Sequence, residues 1–142
     1  NETKQFELAI PDFGKAIELS PENANVYNQL AWLYATANDV TLRNGSKAVR
    51  LAKKSIKLSP NSKNLGAKLD TLAAAYVETG QQGLAVKTYE QVMTLERFWL
   101  QEYQNFLRQK GYFQGENSDI YSSAMQKALI ACVRAKCQLG VE

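Results

Sequence analysis

Ile17–Asn23 reads IELSPEN, and Ile56–Ser62 reads IKLSPNS, thirty-nine residues further along a chain of 142. A recurrence at a set interval is the mark of repeat architecture, and the likeness extends outward from both copies. Ahead of the first Ser-Pro stand Ala9, Phe13, Ala16 and Ile17; ahead of the second stand Ala48, Ala52, Ser55 and Ile56. Steps of three and four put each set on one helix face. Behind the Ser-Pro pairs come Tyr27, Leu30, Ala31 and Tyr34, then Leu69, Leu72, Ala73 and Tyr76, again at helical spacing. A further helix follows Tyr76, with Ala85, Tyr89 and Val92 in the places of Ala48, Ala52 and Ser55. The repeated unit is a pair of helices.

The order bulky residue, Leu-Ala, Tyr, then Ala, a small or aromatic residue, Ala and Pro resembles the tetratricopeptide repeat. The resemblance covers residues 1–96 and implies an all-α solenoid of helix-turn-helix units. Half a repeat carries Ala9, Phe13, Ala16 and Pro21, a middle copy spans about 24–59, and a last copy spans about 63–96. The family period is about 34 residues, so the interval of 39 asks for five more residues between the helices of the middle copy. The stretch ATANDVTLRNGSKA supplies them, with Asn38-Asp39 and Asn44-Gly45 as turn chemistry. Pro11 within the first helical pattern predicts a kink or a restart. Arg97 stands where the earlier copies have Pro21 and Pro60.

Hydrophobic residues make up 45% of the chain and charged ones 22%, an ordinary globular balance that argues against disorder. No apolar run approaches the roughly eighteen residues of a membrane span, so a soluble chain is expected. It starts at Asn rather than Met and on half a repeat, so a longer parent protein is expected. The net charge of +3 is unevenly spread: residues 1–39 carry −4, 40–69 carry +8 with no acidic residue, and 70–142 carry −1. Lys47, Arg50, Lys54 and Lys57 share one helix side, opposite Ala48, Ala52 and Ile56. That basic face reads either as a solvated exterior or as a surface for an acidic partner. No nucleic-acid motif accompanies it, so nucleic acid is not an expected partner.

Beyond Glu96 the pattern changes to FWLQEYQNFLRQKGYFQGENSDIYSSAMQKALIACVRAKC. Trp99, Tyr103, Phe106 and Leu107 form one apolar helix face, and Met125, Ala128, Leu129, Cys132 and Val133 another. Gly111 ends the first helix, and Ser122 or Ser123 starts the second. No Gly or Pro lies between Leu84 and Lys110, so either a break falls near Thr94 or one long helix runs through. Residues 97–142 thus read as a second region, a helical pair capping the open end of the solenoid.

This tail also resembles a small helical peptidoglycan-binding module through Gln104, Leu107, Gly111, Tyr112, Phe113, Gly115, Ile120, Tyr121, Ala128 and Leu129. It departs from that pattern at Ser118-Asp119, Ser122-Ser123, Met125 and Cys132-Val133. The resemblance implies a glycan-facing loop bearing Tyr112, Phe113, Asp119 and Tyr121. Cys132 and Cys137 lie about 140° apart on an unbroken helix, where they cannot bond. If the helix ends before Cys137, their Cα atoms can come within the required 4.4 to about 6.8 Å. A disulfide goes with an oxidising compartment such as a periplasm or cell envelope; two free thiols go with a cytoplasmic protein.

The chain has no histidine, which removes the commonest general base and the Ser-His and Cys-His nucleophile systems. Two cysteines without histidine make a poor zinc site, and no metal or other cofactor is expected. No Gly-rich phosphate loop occurs, and a non-enzyme is expected. In the tetratricopeptide family the first helix of each pair lines a concave groove for a partner segment. By position, that groove would present Asn25, Asn28, Trp32 and Ala35, then Ala67, Asp70, Ala74 and Val77. Two functions follow: a scaffold that binds a protein or peptide in this groove, or a bacterial envelope protein whose tail holds peptidoglycan.

Overall fold

A computed structural model describes residues 1–141. Within them the chain forms seven α-helices: α1 (Glu2–Leu19), α2 (Ala24–Thr36), α3 (Gly45–Leu58), α4 (Leu65–Glu78), α5 (Gln82–Leu95), α6 (Arg97–Gln109) and α7 (Ser123–Arg134). One 3-10 turn, Val40–Leu42, lies between α2 and α3. The fold is all-α, a tetratricopeptide-type helical solenoid with a C-terminal helical region. Helix starts follow local chemistry: the side chains of Asn1, Asn23, Asn44 and Ser122 accept backbone amides at the starts of α1, α2, α3 and α7. Gly111 takes φ +85° just past α6, a left-handed conformation that glycine adopts without a Cβ penalty.

The helices pack as pairs, α2 with α3 and α4 with α5, and the pairs join through α3 on α4 and α2 on α4. Helix α1 lies on α2. Small residues set the spacing: Ala31, Ala35, Ala48, Ala52, Ala73, Ala74, Ala75 and Ala85 are fully buried, so backbones approach closely. Ser55 belongs to this set because its hydroxyl donates to the Ala24 carbonyl at 2.6 Å, joining α3 to the start of α2. The extra residues of the middle copy are held in place. Asp39 caps the 3-10 turn through the Thr41 amide, and Arg43 donates to the Ala37 carbonyl and pairs with Glu78 at 3.0 Å.

Helix α1 continues through Pro11 without the restart that is one of the two expectations for it. Proline denies the Glu7 carbonyl its helical amide, but both residues are exposed, so water can serve instead. The long-helix alternative beyond Leu84 is not realised. Glu96 adopts an extended backbone (φ −149°, ψ 140°) and separates α5 from α6 at the place where earlier units carry Ser-Pro. The turn lets α6 fold back onto α5. A single hydrophobic cluster then runs from Ala31 through Tyr89 and Leu107 to Leu139, so the repeats and the C-terminal helices share one core.

Candidate functional site

Helix α6 occupies the place of a further first helix, after α2 and α4. It packs on α5 and sends Trp99 and Tyr103 across to α4. Gly66 makes this possible, because a Cβ there would fall on the Trp99 indole nitrogen. Gly66→Ala is therefore expected to displace Trp99 and to lower stability by about 1–3 kcal/mol, the usual range for overpacking. A shift in the denaturant midpoint together with changed Trp99 fluorescence checks it.

After α7 the chain turns and lies along the inner face of α2 and α4. Lys136 takes φ 60°, and a disulfide joins Cys132 to Cys137 beyond the end of the helix. The Gln138 amide donates to the Ala35 carbonyl at 2.8 Å and to the Ala74 carbonyl at 3.0 Å. Ala35 lies in the last turn of α2, where carbonyls lack helical partners, so the tail satisfies a group the helix leaves open. Leu139 is fully buried, and its amide donates to the Tyr89 hydroxyl at 3.1 Å. This inner half of the groove is filled by the chain's own C-terminal segment. Of the residues expected to line it, Ala35, Ala74 and Val77 are buried.

The outer half is open. Asn28, Gln29, Trp32, Ala67, Asp70 and Thr71 line a trough of about 360 Å³ between α2 and α4. Asn25 lies exposed beyond its end, with its side-chain oxygen 3.5 Å from the Asn64 amide nitrogen. The Asn28 side-chain oxygen is buried in this region without a hydrogen-bond partner, the one such side-chain atom among the described residues. An unpartnered buried oxygen carries a cost of about 1–3 kcal/mol that a donor from outside can relieve.

Asp70 forms the wall between this trough and a second cavity of about 410 Å³, lined also by Phe98, Trp99, Glu102, Tyr103 and Phe106. The Tyr103 hydroxyl donates to the Asp70 carboxylate in a short hydrogen bond. Burial pushes the Asp70 carboxyl up to about 7, and the Tyr103 bond only partly offsets this. Burial and the nearby Asp70 charge raise the Tyr103 and Tyr89 hydroxyls well above the phenol range.

Several of the other sequence-derived candidates make contacts within the fold. On α3, the Lys47 ammonium sits 5.0 Å from the centre of the Tyr34 ring and Lys54 is 6.0 Å from that of Tyr27, while Arg50 and Lys57 are exposed. In the loop after α6, Phe113 is only 6% exposed, and Tyr112 packs against the same core. Tyr121 donates to the Glu90 carboxylate at 2.7 Å, and Asp119 pairs with Arg97 at 2.8 Å. The loop is fastened from α6: Gln104 exchanges two hydrogen bonds with the Ser118 backbone, and Arg108 donates to the Gly115 carbonyl.

Sequence reasoning missed the tail residues Gln138 and Leu139, because a short segment of turns has no periodicity to read. It also missed the cavity shared by α4 and α6, since Phe98 and Glu102 have no counterpart in the earlier repeats. A family model described as Tetratricopeptide repeat matches residues 13–45, and a second of the same description matches residues 1–23. The N-terminal segment is tetratricopeptide-repeat sequence. No curated protein and no solved structure matches the chain.

Proposed function

We propose, taking the tetratricopeptide-repeat sequence as premise, that the chain is a non-enzymatic interaction module that binds an extended protein segment along the outer half of its concave groove. Tetratricopeptide repeats suggest protein–protein interaction in general; the site is assigned from Asn28, whose side-chain oxygen is buried and unpartnered, and which lines the same open trough as Trp32. A rotation of the Asn28 side chain would bring its amide to the trough surface, where a partner's backbone N–H would satisfy the oxygen. Trp32, only partly buried, would supply the apolar anchor, as tryptophan does at interface hot spots. The tail supports this reading by example, because a non-helical segment, turned at residues 138–141, already rests on α2 and α4 through a side-chain amide and one buried leucine.

The peptidoglycan reading receives less support. Phe113 is buried in the core and the Tyr121 hydroxyl is tied to Glu90, so two of the four residues expected to face a glycan are turned to the fold, while Asp119 stays exposed in its pair with Arg97. The basic face is likewise partly spent on tyrosine rings. The test is to pan a displayed random-peptide library on the full chain and to measure an enriched peptide on variants. Trp32→Ala is expected to weaken binding by at least about tenfold, in keeping with a hot-spot loss of about 2 kcal/mol. Equal affinity for wild type and Trp32→Ala would sink the assignment.

A further inference from the structure

The cavity between α4, α6 and the tail carries two carboxylates, Asp70 and Glu102, and aromatic residues Phe98, Trp99, Tyr103 and Phe106, with no basic residue in its lining. Neither acid is in an ion pair among the described residues. One Asp70 oxygen takes the Tyr103 hydroxyl, and Glu102 is exposed at the rim. The aromatics are arrayed around one another: Phe98 and Trp99 meet edge to face at 5.5 Å, and Trp99 and Tyr103 lie 5.9 Å apart at a tilt. Phe98 is 58% exposed, which is unusual for a ring with nothing to cover it.

Carboxylates beside open aromatic faces recognise cations twice over, through charge and through the ring quadrupole. A planar guanidinium suits this arrangement better than an ammonium, because it stacks on a ring while its edge donates to a carboxylate. The cavity also shares Asp70 with the trough that holds Asn28 and Trp32, so a segment in the trough passes the cavity mouth. We infer that this cavity is a subsite for an arginine side chain of the partner segment, stacked on Phe98 or Trp99 and paired with Asp70 and Glu102. It rests on the groove reading for the identity of its occupant, and not for its chemistry.

The probe is therefore too small to span the groove: Nα-acetyl-arginine amide, with Nα-acetyl-citrulline amide as its neutral counterpart. Each is titrated into the ¹⁵N-labelled full chain while the two tryptophan indole N–H signals are followed. The expected result is a saturable shift of the Trp99 signal with the arginine probe, weakened by added salt. Citrulline should bind at least about tenfold more weakly, the scale on which charge-assisted bonds exceed neutral ones. Asp70→Asn and the rim variant Glu102→Gln should each weaken arginine several-fold; the latter is exposed and should leave the fold intact. Equal shifts from both probes, no Trp99 response, or unchanged binding in both variants would overturn the inference. Arginine binding without any enriched library peptide would count against the groove alone, and the converse against the cavity alone.

Discussion

Removing residues 136–142 is expected to lower the stability of the chain by about 5 kcal/mol, a large share of the 5–15 kcal/mol typical of a domain. Its described part, 136–141, forms no helix or strand, so its weight comes from what it touches. Leu139 is fully buried, which is worth about 2–3 kcal/mol for an aliphatic side chain. Gln138 makes two hydrogen bonds to carbonyls of α2 and α4, each of net value about 1 kcal/mol. The deletion also removes Cys137 and with it a short disulfide loop, for which the chain-entropy estimate is about 2 kcal/mol. These contributions share neighbours and do not add fully. Chemical denaturation followed by circular dichroism measures the loss. The double variant Cys132→Ser, Cys137→Ser should lose only the disulfide part, because Gln138 and Leu139 stay. A deletion costing less than about 1 kcal/mol would show that the tail is not part of the folded core.

Asp70→Asn is expected to stabilise the chain above neutral pH. An acid whose folded pKa is raised to about 7, against an ordinary value of 3.8, binds its proton more tightly in the folded state. Its favourable contribution is complete below about pH 4 and is lost as pH rises through about 7, after which the ionised carboxylate burdens the fold. The shift sets a ceiling of about 4 kcal/mol, and because Asp70 keeps some solvent contact we expect about 2 kcal/mol. Asparagine is neutral throughout and can still accept from Tyr103. The variant should therefore exceed wild type in thermal stability at pH 8 and match it at pH 4. A carboxylate that weakens the fold at neutral pH marks a residue kept for something other than stability, as binding sites often are. Lower stability of the variant at pH 8 would mean that Asp70 is structural.

The repeat was legible because its signals are local and recur. IELSPEN and IKLSPNS mark helix ends, and the alanines at steps of three and four mark buried faces, whichever residues lie between. The apolar face of the first C-terminal helix was legible for the same reason in Tyr103, Phe106 and Leu107, all buried in the structure. Pro11 does not restart α1, because the local rule ignores solvent: on an exposed helix the missing hydrogen bond is cheap to replace. The groove residues were placed by register alone. Register cannot tell that Ala35 and Ala74 are covered by a segment more than sixty residues further on, nor that Asn28 is left with a buried, unpartnered oxygen. Asp70 looked like one groove residue among eight. Only the fold brings Tyr103, from a helix outside the repeats, onto its carboxylate.

The groove assignment is tested most directly by mapping a library-enriched peptide onto the ¹⁵N-labelled full chain. The predicted result is perturbation centred on the Trp32 indole and the Asn28 side-chain amide, extending to residues 67–71 of α4. Perturbation confined to the loop at 111–122, or to Arg50 and Lys57 on α3, would contradict it and move the binding site to the face it names.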